Sequence, residues 1–472
     1  MRRAVKNRFS RTILAAMGIA VFGMMPRVAA ADNLADALIG AYNTSGLLEQ
    51  NRALLRAADE DVAISVAALR PIIDWTARVQ RNLVENRTGG LVSDSQTSTF
   101  FTGISLQQLL YDGGASQLAK SAAQETVLAT RQSLLQVEQS VLFTAVSAYM
   151  NVLLQEENVV LRQNNVRVLG EELRASQDRF EVGEVTRTDV ALSESRLAGA
   201  RANLADAQGA LITARAVYVN AVGNEPGKIA GQPRLPQRPA SIDAAVAFGV
   251  RNHPSILAAQ HQVKAANLTV ERTRKSLGPN VTLRADIGLT NTYGNSNYND
   301  TASAGVLFTQ PVYAGGRLAA TIRRSMATRD SIKANLLNVN KDVIQAINEA
   351  YVRFETAGAS LTASNERVRA AQVAFDGIRE EATLGARTTL DVLTAEQELL
   401  DAQTAQISAR AERSLAAYQL LSSQGLLTAE RLGLAVQIYD PTLYYNLVKG
   451  APAKVSKQSK DLDRVLEALG KK

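Results

Sequence analysis

The chain has 472 residues, no cysteine and a formal net charge of +7. Six of its basic residues and none of its acids lie within residues 1–31, so the remainder carries only +1 and the basic pI does not indicate a nucleic-acid partner. The lack of cysteine suits an oxidising compartment and excludes an N-terminal lipid-modified cysteine.

The first predicted element is an export signal. Five basic residues precede an apolar run at 13–25, and the small residues at 28–31 suit a signal peptidase. The alternative is a transmembrane anchor, but the run is shorter than the roughly 20 residues that a spanning helix needs. We therefore expect residues 1–31 to be removed on export. We find no later apolar run of spanning length, so any entry into a bilayer would use strands.

A helix over residues 33–70 and a β-hairpin at about 72–111 follow. The first strand alternates with the period of two that is typical of strands, setting Ile73, Trp75, Ala77 and Val79 against Asp74, Thr76, Arg78 and Gln80. A polar stretch separates it from a second alternating strand at 100–107. Strands of about ten to twelve residues with one apolar face suit a bilayer. The alternative is a half-buried sheet in a soluble domain.

A long helix at 115–180 comes next, with no proline and several apolar seams of heptad spacing, which indicate neighbours on more than one side. A turn at 183–189 leads into a shorter helix at 190–222. After a proline-rich linker, residues 241–277 are again helical in pattern. Because two short helices together match the long one in length, we expect each long helix to lie beside two short helices placed end to end. We expect 241–277 to continue the helix 190–222, and 33–70 to stack on the helix 391–424.

The same unit then recurs. Residues 108–223 match residues 310–425 at a constant offset of 202, without insertion or deletion, and this length exceeds the short solenoid repeats. Repeat 1 is therefore placed at 32–229 and repeat 2 at 230–448. Repeat 2 contains a hairpin at about 281–313, a long helix at 317–382, a turn at 385–391, a short helix at 392–424 and an equatorial segment. Residues 449–472 hold seven Lys or Arg against three acids, which predicts a solvated basic tail.

Four charged residues fall on the polar faces of the predicted strands and suit a water-filled barrel lumen: Asp74, Arg78, Arg284 and Asp286. Four strands cannot close a spanning barrel, because such barrels start at about eight strands. If these strands cross a membrane, several chains must share one barrel.

The two helix turns carry the most informative sequences, FEVGEVTRTDV at 180–190 and EATLGARTTLDVLTA at 381–395, with YDGG at 111–114 and YAGG at 313–316. On these motifs the chain resembles the TolC family of outer-membrane channel components, the outer membrane factors. The resemblance implies a mainly α-helical homotrimer with a twelve-stranded outer-membrane β-barrel and a coiled-coil α-helical tunnel through the periplasm. It also implies a passive exit duct for efflux or type I secretion, with a periplasmic adaptor (membrane fusion protein) and an inner-membrane pump of RND or ABC type.

On the family plan, both turns lie at the periplasmic tip. The residues expected to serve adaptor docking and gating are Gly183, Thr186, Arg187, Thr188, Asp189, Gly385, Arg387, Thr388 and Asp391. Helix capping is the alternative for Thr186, Thr188 and Asp189. Arg187 and Arg387 have no capping duty, so docking or inter-helix ion pairs suit them better. Thr394 and Ala382 replace an acid and an aromatic residue of some relatives, which weakens the expectation of a tight acidic gate ring.

Catalytic patterns are weak in this sequence. His253 and His261 lie eight residues apart on one predicted helix, without the further ligands that a metal site needs. The GNEPGK segment at 223–228 is one residue short of a phosphate loop and lacks its Ser or Thr. We expect no enzyme activity, cofactor or metal. Two other hypotheses stay open: a periplasmic coiled-coil adaptor, which predicts lipoyl-like flanks that are missing here, and a secreted structural coiled coil, which leaves four amphipathic strands unexplained.

Overall fold

The computed structural model describes residues 32–294, 298–454 and 456–468, so the predicted signal peptide lies outside the described residues. Its elements in chain order are α1 (Leu34–Thr44), α2 (Gly46–Ala67), β1 (Ile72–Thr88), β2 (Leu91–Tyr111), α3 (Ala115–Glu181), α4 (Arg187–Val222), α5 (Ile242–Asn252), α6 (Pro254–Lys275), β3 (Asn280–Thr292), β4 (Tyr298–Thr309), α7 (Arg317–Thr383), α8 (Thr389–Ser423), α9 (Pro441–Val448) and α10 (Lys457–Ala468).

The four strands form one antiparallel sheet in the order β1-β2-β3-β4. The pairing of β2 with β3 joins the hairpins of the two repeats, with Ile104 opposite Ile287. Each long helix starts just after its hairpin, behind a pair of glycines, so the sheet lies at one end of the helices and the two turns lie at the other.

The first hairpin is longer than the sequence predicts. Strands β1 and β2 have 17 and 21 residues and run straight through the polar stretch that we expected to be a loop. Gly89 and Gly90 join them, with φ values of 59° and 86°. Two successive residues of positive φ form the two-residue turn that matches the twist of paired strands. Polar side chains on both faces are compatible with this extension because it is solvent-exposed.

The helices form four parallel columns. Column one contains α2 and α4, column two α3, column three α6 and α8, and column four α7. The expected end-to-end stacking of short helices is present, but its pairing is the reverse of our expectation. Thr44 is the last residue of α1 and lies two residues before α2. Its Oγ1 atom donates to the carbonyl of Val222, the last residue of α4, at 3.0 Å, so α2 continues α4. Gly425 packs against His253 and Pro254, so α6 continues α8.

The reason for the exchange is the path of the linker at 229–238. It receives hydrogen bonds at its carbonyls from Tyr149 of α3 (3.0 Å, at Gly231) and from Tyr418 of α8 (3.1 Å, at Arg234). Arg238 then pairs with Glu355 of α7 at 3.1 Å. The linker therefore crosses three columns before α5 begins, and this displacement delivers α6 to the third column.

Two segments predicted as single helices are each broken. The segment 33–70 divides at Ser45, whose hydroxyl accepts from the Leu48 N–H at 3.2 Å and caps α2. The segment 241–277 divides at His253, because Pro254 lacks an N–H and disfavours helical backbone in the residue before it.

The main hydrophobic core lies at mid-height, where Leu48, Leu55, Leu142 and Tyr149 are almost fully buried. A stretch of α3 is apolar enough to resemble a membrane span, contrary to our expectation, but 56% of it is buried among its neighbours. Residues 426–451, which we call the strap, run along this core towards the sheet. Tyr444 donates to Glu60 at 2.7 Å, and Arg131 lies over the ring of Tyr445 at 5.1 Å.

Candidate functional site: the sheet faces and the helix turns

All four charges predicted to face a lumen lie on one face of the sheet. Asp74 is directly opposite Ser105, and Ser105 is directly opposite Asp286, so these side chains form one row across three strands. Arg284 is opposite Gln107 and Arg78 is opposite Phe101, in rows of the same face on either side of that one. Directly opposite residues share a face of an antiparallel sheet. The register therefore places these four charges on one face of the sheet.

The other face of the sheet is apolar and largely exposed. Its exposed side chains include Trp75, Val79, Ile287, Val306 and Phe308. On β3, the residues of this face are all apolar from Val281 to Leu289, eight residues apart, which is about 27 Å along a strand. At a tilt of about 40° this becomes about 21 Å, near the roughly 25 Å apolar height of outer-membrane barrels. The exposed apolar surface therefore has the dimension of a membrane band.

The two helix turns share one local design. Gly183 and Gly385 have φ values of 83° and 79°, and each lies just beyond the end of a long helix. Thr186 caps α4: its side chain accepts from the Asp189 N–H at 3.3 Å, and the Asp189 carboxylate accepts from the Thr186 N–H at 2.9 Å. These reciprocal bonds are a capping box.

The second turn repeats the same contacts. The Thr388 hydroxyl accepts from the Asp391 N–H at 3.3 Å, and the Asp391 carboxylate accepts from the Thr388 N–H at 3.0 Å. The hydrogen bonds from the threonines hold the pKa of both Asp189 and Asp391 below the ordinary value. Both acids are thus engaged in capping, whereas Thr188 is the second residue of α4 and does not occupy the cap position.

The two predicted tip arginines are not counterparts in the duplication. Arg187 is the first residue of α4, and Thr389 occupies its place in repeat 2. Arg387 precedes the cap of α8 and pairs with Glu381 of α7 at 2.8 Å. Within the part of the chain that the structure describes, Arg187 has no ion-pair partner. Of these two arginines, only Arg387 is therefore tied to a helix by an ion pair among the described residues.

Buried polar contacts between the helical hairpins were missed by the sequence reasoning. Asn165 of α3 donates to the buried carboxylate of Glu396 on α8, and Arg379 of α7 pairs with Glu172 of α3 at 3.2 Å. Burial raises the pKa of Glu396, and the Asn165 hydrogen bond opposes this. A signal was available for Asn165, because it lies four residues after Leu161 and three before Val168, within an apolar seam.

The histidines do not form a common site. His261 lies 2.7 Å from Glu125 of α3, whereas His253 is buried and caps α6 by accepting from the Ser255 N–H at 3.2 Å. Burial lowers the pKa of His253. Among the described residues there is no group of three or more His, Cys, Asp or Glu that could hold a metal ion.

Comparison with known proteins places these features in context. A family model described as outer membrane efflux protein matches residues 41–224 and 250–426. Outer membrane efflux protein BepC of Brucella suis is 35% identical over 451 residues, which are 95% of this chain and 97% of BepC. Alkaline protease secretion protein AprF of Pseudomonas aeruginosa is 26% identical over 242 residues, 49% of this chain and 50% of AprF. The CmeC outer membrane channel of Campylobacter jejuni superposes with a TM-score of 0.73 at 17% identity, over 89% of this chain and 90% of that channel.

Proposed function

The chain belongs to the outer membrane efflux protein family, which confirms the resemblance drawn from its turn motifs, and we propose that it works as a passive homotrimeric exit duct. It resides in the outer membrane and extends into the periplasm, as members of this family do. In the proposed assembly, a periplasmic adaptor and an inner-membrane pump supply cargo and energy.

The observation that carries the proposal is the two-faced sheet. Each chain supplies four strands with charged and polar side chains on one face and exposed apolar side chains on the other. Among the described residues, both outer strands, β1 and β4, have one edge without a paired strand. Backbone groups in lipid must be paired, so the edges have to be closed by further copies. Three copies give twelve strands, with the Asp74 face towards water and the Val306 face towards lipid.

The helices extend this duct. Both α3 and α7 have 67 residues, which corresponds to about 100 Å at 1.5 Å per residue. Four columns per chain give twelve columns in a trimer, matching the number of strands. The turns at the far end are then the periplasmic tip, and we propose that Arg387 and Arg187 contact the adaptor there. The capping boxes stabilise the backbone conformation of the turns.

The proposal is tested by deletion and by assembly. Cells that lack the protein should become sensitive to toxic compounds or fail to release a secreted protein, and the wild-type copy should restore the phenotype. The protein should fractionate with the outer membrane and migrate as a trimer on unheated gels. A lipid-free monomer in the soluble fraction, with normal efflux and secretion in the deletion strain, would refute the proposal.

A further inference from the structure

A groove lies between α6 and α7, just below the sheet. It has a volume of about 480 Å³, within the range of small-molecule sites, and one residue of α3, Thr126, also lines it. Ala265, Ala266 and Ile332 contribute apolar surface. The threonines of the groove add methyl groups, since most of them donate their hydroxyl hydrogens to carbonyls of their own helix, as Thr269 and Thr328 do. The floor is therefore apolar despite its many hydroxyl oxygens.

The charge of the groove is of one sign. Arg324 and Arg329 line it, and no acid does so in the described part of the chain. Arg329 is half-buried and already pairs with Asp330 at 2.7 Å. Arg324 is exposed, and its guanidinium has no hydrogen-bond or ion-pair partner among the described residues. Its guanidinium can therefore bind an anionic group at the groove.

The groove faces away from the linker and the strap. On α3, Gln124 and Arg131 contact Tyr445 of the strap, and Thr126 lies five residues from Arg131, about 140° around the helix. On α7, Tyr351 contacts the linker, and Arg324 lies 27 residues before it, about 180° around the helix. Segments that cross the columns would obstruct a tunnel if they lay inside it. In the proposed trimer they therefore lie outside, and the groove opens towards the lumen.

We propose that this groove is a transit site for amphipathic organic anions, with Arg324 binding the anionic group and the alanine and threonine surface of α6 binding the apolar part. The proposal rests on the proposed function, because only a duct exposes this face to cargo. The groove would bind, before release, molecules that carry one carboxylate, sulfonate or phosphate on an apolar body.

The test uses the trimer in lipid nanodiscs and two fluorescent probes that share the same aromatic skeleton. The first is 1-anilinonaphthalene-8-sulfonate, an anion, and the second is N-phenyl-1-naphthylamine, which is uncharged. Fluorescence titrations, corrected for empty nanodiscs, compare the wild type with Arg324→Gln, Arg324→Lys and Arg323→Gln. Arg323 is the matched control, because it is the exposed neighbour of Arg324 and does not line the groove.

We expect Arg324→Gln to weaken binding of the sulfonate by about tenfold, the effect of losing one charge-assisted contact. Arg324→Lys should retain most of the affinity, and Arg323→Gln and the uncharged probe should show no change. Equal affinity for the sulfonate in Arg324→Gln and Arg323→Gln would overturn the proposal. Equal loss of both probes would overturn it as well, since shape and not charge would then govern binding. Trimer formation and export by the wild type are scored separately, so a failure of the duct itself is recognised independently.

Discussion

Asp59 of α2 is an unusual residue because it is fully buried at mid-height and neither carboxylate oxygen has a hydrogen-bond partner in the described part of the chain. Burial raises its pKa from 3.8 to about 6, although the charge of Arg131 works against this shift and Glu60 adds to it. The folded state therefore favours the neutral carboxyl group. The stabilisation from this group is complete below pH 3.8 and is lost as the pH rises through about 6.

Replacing Asp59 by Asn should consequently stabilise the trimer at pH 7.5, by up to about 3 kcal/mol, because a buried charge is removed. Thermal denaturation followed by circular dichroism between pH 4 and pH 8 should show a higher midpoint at pH 7.5 and a shallower pH dependence. Asp61→Asn, at an exposed position of the same helix, is the control. An unchanged pH dependence in Asp59→Asn would show that the carboxyl group of Asp59 does not cause the loss of stability as the pH rises.

The ion pair of Arg387 with Glu381 is exposed, so it contributes little to the stability of the fold. Arg387→Glu should leave a folded trimer but reduce export severalfold, since a new acid would stand beside Glu381 and Asp391 at the proposed docking surface. Minimum inhibitory concentrations of exported compounds measure this effect. Arg369→Glu reverses the charge of an exposed arginine of α7 that pairs with Glu366, and it should leave export unchanged. Full export by Arg387→Glu would remove this residue from the docking surface.

At the scale of elements, the junctions between stacked helices are the least tolerant positions. Gly223 and Gly425 are counterparts in the duplication, and both end a short helix with positive φ. A Cβ atom at Gly425 would lie 2.8 Å from Pro254, and one at Gly223 would lie 2.5 Å from Thr44. Close contact of α8 with α6 and of α4 with α1 thus depends on the missing side chains.

Gly425→Ala and Gly385→Ala form a matched pair for this idea. Both glycines have a φ of 79°, but a Cβ atom at Gly385 would meet nothing within 4 Å. We expect a cost of about 1 kcal/mol at Gly385 from backbone strain alone, and of roughly 2 to 4 kcal/mol at Gly425 from strain and overlap together. The denaturation midpoints of the two trimers measure the difference. Equal midpoints would show that the junction can relax without cost.

For the whole molecule, the decisive property is which sheet face meets lipid. Val306→Lys places a charge on the apolar face and should cost about 2 to 4 kcal/mol near the middle of the bilayer. Ser303→Lys places the same charge on the other face, in the row of Asp286, and should be tolerated. The yield of trimer on unheated gels, taken from outer-membrane fractions, distinguishes the two variants. Normal assembly of Val306→Lys together with failure of Ser303→Lys would reverse the proposed orientation of the sheet.

The amino-acid sequence alone determined the local features of this protein. The period-two pattern placed Asp74 and Trp75 on opposite faces, and the register of the sheet agrees with that assignment. The threonine and aspartate of each turn predicted helix starts, because a side-chain oxygen beside free N–H groups caps a helix in any context. The duplication predicted two hairpins and two long helices, and both long helices have 67 residues. The two hairpins differ in length, because β1 and β2 have 17 and 21 residues and β3 and β4 have 13 and 12.

The tertiary structure alone decided which elements meet. Heptad spacing shows that a helix face is buried but does not identify its neighbour, so the stacking of α2 on α4 and of α6 on α8 followed from the path of the linker across Tyr149 and Tyr418. The buried pair of Asn165 and Glu396 joins residues 231 positions apart for the same reason. A pattern along one chain segment records burial, whereas partnership depends on the three-dimensional route of the chain between segments.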